Sequence, residues 1–164
     1  MRRILFLLAG VSVLGFLGWQ VREAEALIAS GDRILLELAP VDPRSLMQGD
    51  YMRLAYAMER SADVGEAIAG DPAPIAVLAV DGRGIATFRR FAAEATPGPG
   101  EKPFRVRHDM RAGRIVVEPH SYLFQEGRAD DFAKARYGIF AVTPEGRHLL
   151  IGLADAEGKR IEPK

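Results

Sequence analysis

The stretch IAVLAVDGRGIATFRRF, residues 75–91, decides the fold class. Two runs rich in β-branched and apolar residues, Ile75 to Val80 and Ile85 to Phe91, flank Asp81-Gly82-Arg83-Gly84, a turn sequence that takes φ > 0 at glycine without strain. Each run is too short for an independent helix, and together they predict a β-hairpin.

The same pattern recurs on both sides of this hairpin. Upstream, Ile34 to Leu38 (ILLEL) reads as a buried strand, and residues 51–58 alternate Tyr51, Arg53, Ala55 and Ala57 with Met52, Leu54, Tyr56 and Met58. Residues 61–70 predict a short helix, closed by Asp71-Pro72-Ala73-Pro74. Downstream, the loop ATPGPGEKP (95–103) precedes strand candidates at 104–108, 114–118 and 121–124. A short helix is predicted over 129–135, and a last hairpin joins 137–142 to 148–153 across Thr143-Pro144-Glu145-Gly146. Many short strands closed by turns predict a mainly β domain over residues 31–164, barrel- or sandwich-like, with one or two short helices.

The N-terminus is of another kind. Residues 4–21, ILFLLAGVSVLGFLGWQV, carry no charge, and as a helix they rise about 27 Å against a hydrocarbon core of about 30 Å. Arg2 and Arg3 stand directly before this run, which favours a cytoplasmic head at 1–3 and an exported chain after the span. Trp19 falls at the far interface, and residues 22–30 (REAEALIAS) continue as helix until Gly31-Asp32 breaks it. The expected architecture is therefore one N-terminal transmembrane helix followed by the β-rich domain. A cleaved leader is the rival reading, because Ala24-Glu25-Ala26 has the small-x-small form of a cleavage site; the long apolar run favours the anchor.

Composition narrows the function classes. The 164-residue chain has 22 basic and 22 acidic residues, so no net field points to nucleic acid. The absence of cysteine excludes disulfides, thiolate metal sites, a cysteine nucleophile and a lipidated cysteine. The three histidines, His108, His120 and His148, have no i, i+4 partner, and the pair Glu118 and His120 on one strand face is a weak metal hint. No GxSxG or phosphate-cradling glycine loop is present. Carboxylates Glu126, Asp130 and Asp131 beside Lys134 and Arg136 read as capping and ion pairing around a short helix. No cofactor or metal is called for.

Residues 49–56, Gly49-Asp50-Tyr51-Met52-Arg53-Leu54-Ala55-Tyr56, resemble the signature of the GDYXXLXY family of membrane-anchored bacterial proteins at every fixed position. Residues 41–44, 122–127 (YLFQEG), 135–138 (ARYG) and 150–155 (LIGLAD) are also similar to it. The resemblance implies a bacterial inner-membrane or periplasmic location, but no activity; with the helix orientation above, a single-pass inner-membrane protein with a periplasmic domain is expected. Gly49, Asp50, Tyr51, Leu54, Tyr56, Gln125, Glu126, Arg136 and Tyr137 within these stretches, together with Asp131, are the motif or binding candidates. Physically, Gly49-Asp50 makes a tight turn, Leu54 and Tyr56 share one strand face and Tyr51 takes the other, so a structural role outweighs direct ligand binding.

A fainter resemblance links residues 41–50 and 122–138 to the signal peptidase and LexA-type β-fold. The aligned nucleophile position holds Val41, and none of Lys102, Lys134, Lys159 and Lys164 occupies the middle hairpin where a general base belongs. A non-catalytic, membrane-tethered binding or assembly domain is therefore expected. Its contacts would be the bilayer through residues 4–21 and another inner-membrane protein. The alternative is an envelope hydrolase with a peptidase-like fold using Ser45 or a carboxylate pair, and small-ligand binding around Tyr51, Tyr56 and Arg136 is a third reading.

Overall fold

The computed structural model describes residues 2–39, 47–48, 51–61, 71, 73–127 and 129–162, with the side chains of Arg2, Leu5, Met47, Gln48, Ser61 and Ala129 left out. The expectations placed on Val41, Ser45, Gly49 and Asp50, and on the helix at 61–70 beyond its first residue, lie outside the described residues.

Helix α1 (Arg2–Ser30) runs from the apolar segment into the body of the protein. Among the described residues, which omit the side chain of Leu5 within the apolar run, no helix is long and apolar enough to cross a membrane. The transmembrane expectation for 4–21 thus rests on the sequence. The helix stops at Gly31, whose N–H donates to the Leu27 carbonyl at 2.8 Å. A Cβ there would lie 2.6 Å from that oxygen and 3.1 Å from the Val142 nitrogen, so only glycine fits. At the next residue the chain is already strand.

That strand, β1 (Asp32–Glu37), is central to a six-stranded mixed sheet. The others are β4 (Ile75–Val80), β5 (Ile85–Ala92), β6 (Glu101–Arg105), β10 (Tyr137–Val142) and β11 (His148–Ala154), in the order β11-β10-β1-β5-β4-β6. Pairings are antiparallel except β1 with β5, which meet in parallel at Leu35↔Ile85 and Leu36↔Ala86. The β4–β5 turn forms as its sequence predicts: Asp81 Oδ1 accepts the N–H groups of Arg83 and Ile85, and Gly84 takes φ 82°.

The sheet curls until its two ends meet. The Arg105 N–H on edge strand β6 donates to the Gly146 carbonyl in the β10–β11 turn at 2.9 Å, and Lys102 ion-pairs with Asp32 at the start of β1. Strand β6 also begins inside the expected 95–103 loop. An edge position explains this, because Pro103, opposite Val77, costs no ladder bond on the outer side. The expected strand 104–108 is divided at Val106 into β6 and β7 (Arg107–Asp109), and β7 pairs instead with β8 (Arg114–Val116).

A small antiparallel sheet of β2 (Met47–Gln48), β3 (Tyr51–Arg53) and β9 (Ser121–Leu123) adjoins, with one-turn helices α2 (Met58–Ser61) and α3 (Ala129–Phe132). One core joins all of these, built around Ile34, Leu36, Tyr56, Leu78, Phe104 and Phe140. Phe140 packs on Tyr56 and Phe104 with ring centroids 5.7 and 5.4 Å apart. The β-rich expectation describes this architecture: a curled mixed sheet with a smaller sheet against it.

Candidate functional site

The segment after β3 carries the Leu54 and Tyr56 of the motif, and it does not remain in one sheet. The alternation expected over 51–58 persists in burial, with Met52, Leu54, Tyr56 and Met58 inward, but the ladder changes partner midway. Leu54 N–H donates to the His120 carbonyl beside β9 at 2.7 Å. Two residues later Tyr56 bridges to Leu38, with Ala39 N–H bonded to Ala55 O and Ala57 N–H to Glu37 O, at the end of β1. The motif strand is the crossing from the small sheet to the large one.

Side chains hold that crossing in place. Tyr56 is fully buried, and its hydroxyl donates to the Pro119 carbonyl at 3.0 Å. Burial, with the nearby Glu59 carboxylate, pushes the Tyr56 pKa above its usual value, so the donor stays protonated. Glu59 accepts the Val117 N–H at 2.7 Å through Oε1 and the Tyr56 N–H at 3.4 Å through Oε2. The second bond is the reach-back half of a capping box at the start of α2. Tyr56 and Glu59 thus tie α2 to the segment that follows β8.

Outside this tied junction lies a pocket of about 400 Å³. Arg53, Leu54 and Glu59 line it from the motif side, and Arg114, Val116 and His120 from β8 and the turn before β9. Arg53, Arg114 and His120 are exposed, so the pocket offers two guanidinium groups and an imidazole around one part-buried carboxylate. Such a rim suits a carboxylate or phosphate.

The expected site residues divide. Leu54 and Tyr56 are core, and Tyr51 is half-buried opposite Leu123. Arg136 is exposed, its N–H bonded to Ala154 O and its carbonyl accepting from Leu38 N, while the half-buried Tyr137 pairs with Glu37 and Ala154. These two therefore approach the motif crossing from the far side of β1. Gln125 and Glu126 are exposed at the turn before Gly127, and Asp131 is half-buried on α3. The pairing of Glu118 with His120 on one strand face is corrected: β8 ends at Val116, the Glu118-Pro119 peptide is cis, Glu118 binds Arg107 at 3.0 Å, and His120 lines the motif pocket. Among the described residues no group of three His, Asp or Glu could hold a metal.

Sequence reasoning missed Arg53, Glu59 and Arg114. Glu59 had a local signal, a glutamate three residues after the residue whose N–H it accepts. Arg114 had none, since a hairpin distant in sequence brings it to the pocket.

A second crevice, about 620 Å³, lies where the curled sheet closes and is lined by Arg105, Val106, Arg107, Pro119, His148 and Leu150 among others. His148 stacks on Phe104 at 3.8 Å, with Nε2 3.2 Å from Glu118 O and Nδ1 3.4 Å from Gly146 O. Burial lowers its pKa, partly offset by those two carbonyls and by the Glu118 carboxylate. The imidazole is thus held neutral in the wall of the crevice.

A family model described as GDYXXLXY protein matches residues 13–153. No curated protein matches the chain, and no solved structure does.

Proposed function

The chain belongs to the GDYXXLXY family, and from that premise we propose that it is a single-pass protein of the bacterial inner membrane. Its N-terminus is cytoplasmic, its β-domain periplasmic, and it works by binding or assembly rather than by catalysis. The observation that carries this reading is the outward face of α1. Phe6 is 69% exposed, Leu14 70% and Trp19 59%, and apolar side chains cover every side of that part of the helix. A helix apolar all round needs lipid or protein around it, not water. The uncharged run 4–21 behind Arg2 and Arg3 suits lipid and the stated orientation.

The binding surface in this reading is the motif pocket. The inward side chains of the crossing are taken up by the core, whereas Arg53 stands outward with Arg114 and His120. These groups suit an acidic segment of another envelope protein. The test is photocrosslinking in membranes with a benzophenone side chain at position 53 or 114 and a control at Arg83, on the exposed β4–β5 turn. A defined adduct from 53 and 114 but not from 83 is the expected result. Labelling equal at all three positions, or none at 53 and 114, rejects the pocket as a partner site.

A further inference from the structure

The second crevice lies at a particular height on α1. We infer that the end of the β-domain carrying the β10–β11 turn rests in the lipid headgroup layer, where Arg105, Arg107 and Arg147 bind phosphates of zwitterionic phospholipids. This inference rests on the anchored reading above and adds an interface to it.

The depth follows from helix geometry. Counting from Ile4, a hydrocarbon core of about 30 Å is crossed in about 20 residues, ending near Arg22 and Glu23, the first charges after the apolar run. The headgroup layer adds roughly 5–8 Å on that side, or about four or five further residues of helix. The domain docks on this same segment. Gln20, Glu23, Ala24 and Leu27 share a crevice of about 380 Å³ with Arg147, His148 and Leu149. Glu23 ion-pairs with Arg147, and Leu27 is buried. Whatever touches Gln20 to Leu27 lies at their depth. Arg147, His148 and Leu149 also line the 620 Å³ crevice, and that crevice carries Arg105 and Arg107 to the same end of the domain.

The chemistry selects the headgroup. Each guanidinium has five N–H donors, and one is engaged in each bond described: Arg105 Nε to Glu145 O, Arg107 Nε to Glu118, and Arg147 to Glu23. Glu118 and Glu23 ion-pair with Arg107 and Arg147, and the Glu145 carboxylate lies within electrostatic reach of Arg147 and Arg105. Three acidic groups therefore balance the three arginines, and the rim has no net charge to draw anionic lipid from a distance. It offers donors for a phosphate and acceptors for an ammonium side by side, the pairing a phosphate–ammonium headgroup presents. Leu149, Leu150, Val106 and Pro119 give the crevice an apolar wall at the level where acyl chains begin.

The test uses the full chain in vesicles of phosphatidylethanolamine with a minority of phosphatidylglycerol. The protein has no cysteine, so each spin label is unique at Leu14→Cys, Ala73→Cys beside the crevice, or Ala133→Cys in the exposed turn between α3 and β10, whose Arg136 carbonyl meets Leu38 past the end of β1. Depth is read from relaxation by oxygen and by a water-soluble nickel chelate. Position 14 should report hydrocarbon, 73 the headgroup layer and 133 water. If 14 reports hydrocarbon but 73 is as wet as 133, the inference fails and the anchor stands; if 14 reports water, the anchor fails first.

Phosphate binding is read separately, as dephasing of arginine guanidinium 15N by lipid 31P in solid-state spectra. The expected signal survives 0.5 M NaCl and is lost in the Arg105→Gln, Arg107→Gln, Arg147→Gln variant. No dephasing in the native chain, or dephasing unchanged by the three substitutions, overturns the arginine assignment. Loss in salt overturns the zwitterionic one.

Discussion

The hairpin of β4 and β5 and the motif crossing at 51–59 are both strand-like and both send side chains into the core, yet they are held differently. In the hairpin, a ladder from Ile75↔Ala92 to Val80↔Ala86 binds backbone to backbone, and side chains supply apolar volume and a turn. At the crossing, the ladder changes partner after Leu54, and two polar side chains, Tyr56 and Glu59, take over bonds that the ladder does not make. A region held by its backbone needs only a pattern of residue types. A region held by side chains needs particular residues, and Tyr56 of the signature is one of them.

The contrast can be broken most forcibly at Tyr56. Tyr56→Ala should cost about 3–5 kcal/mol, since it opens a cavity against Phe140 and leaves the Pro119 carbonyl without its donor. Urea unfolding of the full chain in detergent, followed by near-UV circular dichroism, measures it. Glu59→Ala removes no core volume but strips the acceptor from the buried Val117 N–H, and about 1–3 kcal/mol should be lost in the same measurement. Leu78→Met, in the fully buried middle of β4, keeps volume and ladder together and should cost less than about 1.5 kcal/mol. A Leu78→Met loss larger than that of Glu59→Ala would erase the distinction between the two regions.

The smallest expected effect concerns acid, and it lies at the sheet closure. Burial holds the His148 pKa below its ordinary 6.5, so the folded chain takes up that proton less readily than the unfolded one. The corresponding stability is present above pH 6.5 and is lost as the pH falls through the folded value. The urea midpoint should therefore decline on the acid side of 6.5, and His148→Gln should flatten that limb while lowering the plateau above it through the lost stacking on Phe104. Glu118, Arg105, Arg107 and Arg147 face this imidazole across the crevice, so the curve is best read at moderate salt.

What the sequence discloses follows the same division. The hairpins at 75–91 and 137–153 are legible because period and turn chemistry are local, and Asp81 and Gly84 act within four residues of each other. The period over 51–58 is legible too, as the burial of Met52, Leu54, Tyr56 and Met58 shows. The change of sheet within it is not, since nothing local tells Ala55 that Ala39 will meet it. The parallel contact of β1 with β5, the return of β6 to Gly146 and the meeting of Arg53 with Arg114 depend likewise on distant segments. Of the candidate site, Leu54, Tyr56 and His120 are legible as candidates, whereas Arg53, Glu59 and Arg114 are not. Inward residues carry a pattern, whereas an exposed arginine carries none until the fold assembles its neighbours.

Gly31 sets the reach of the whole device. A flexible tether of ten residues would let a domain wander roughly 16–19 Å from its attachment point. Here helix and strand are joined through one residue, wedged against Leu27 and Val142. If the chain is anchored as proposed, the β-domain would therefore keep a single depth relative to the bilayer and would search for partners only by sliding and spinning in the membrane plane. Such a search is confined to two dimensions, and it rewards only partners that present their own surface at that same depth.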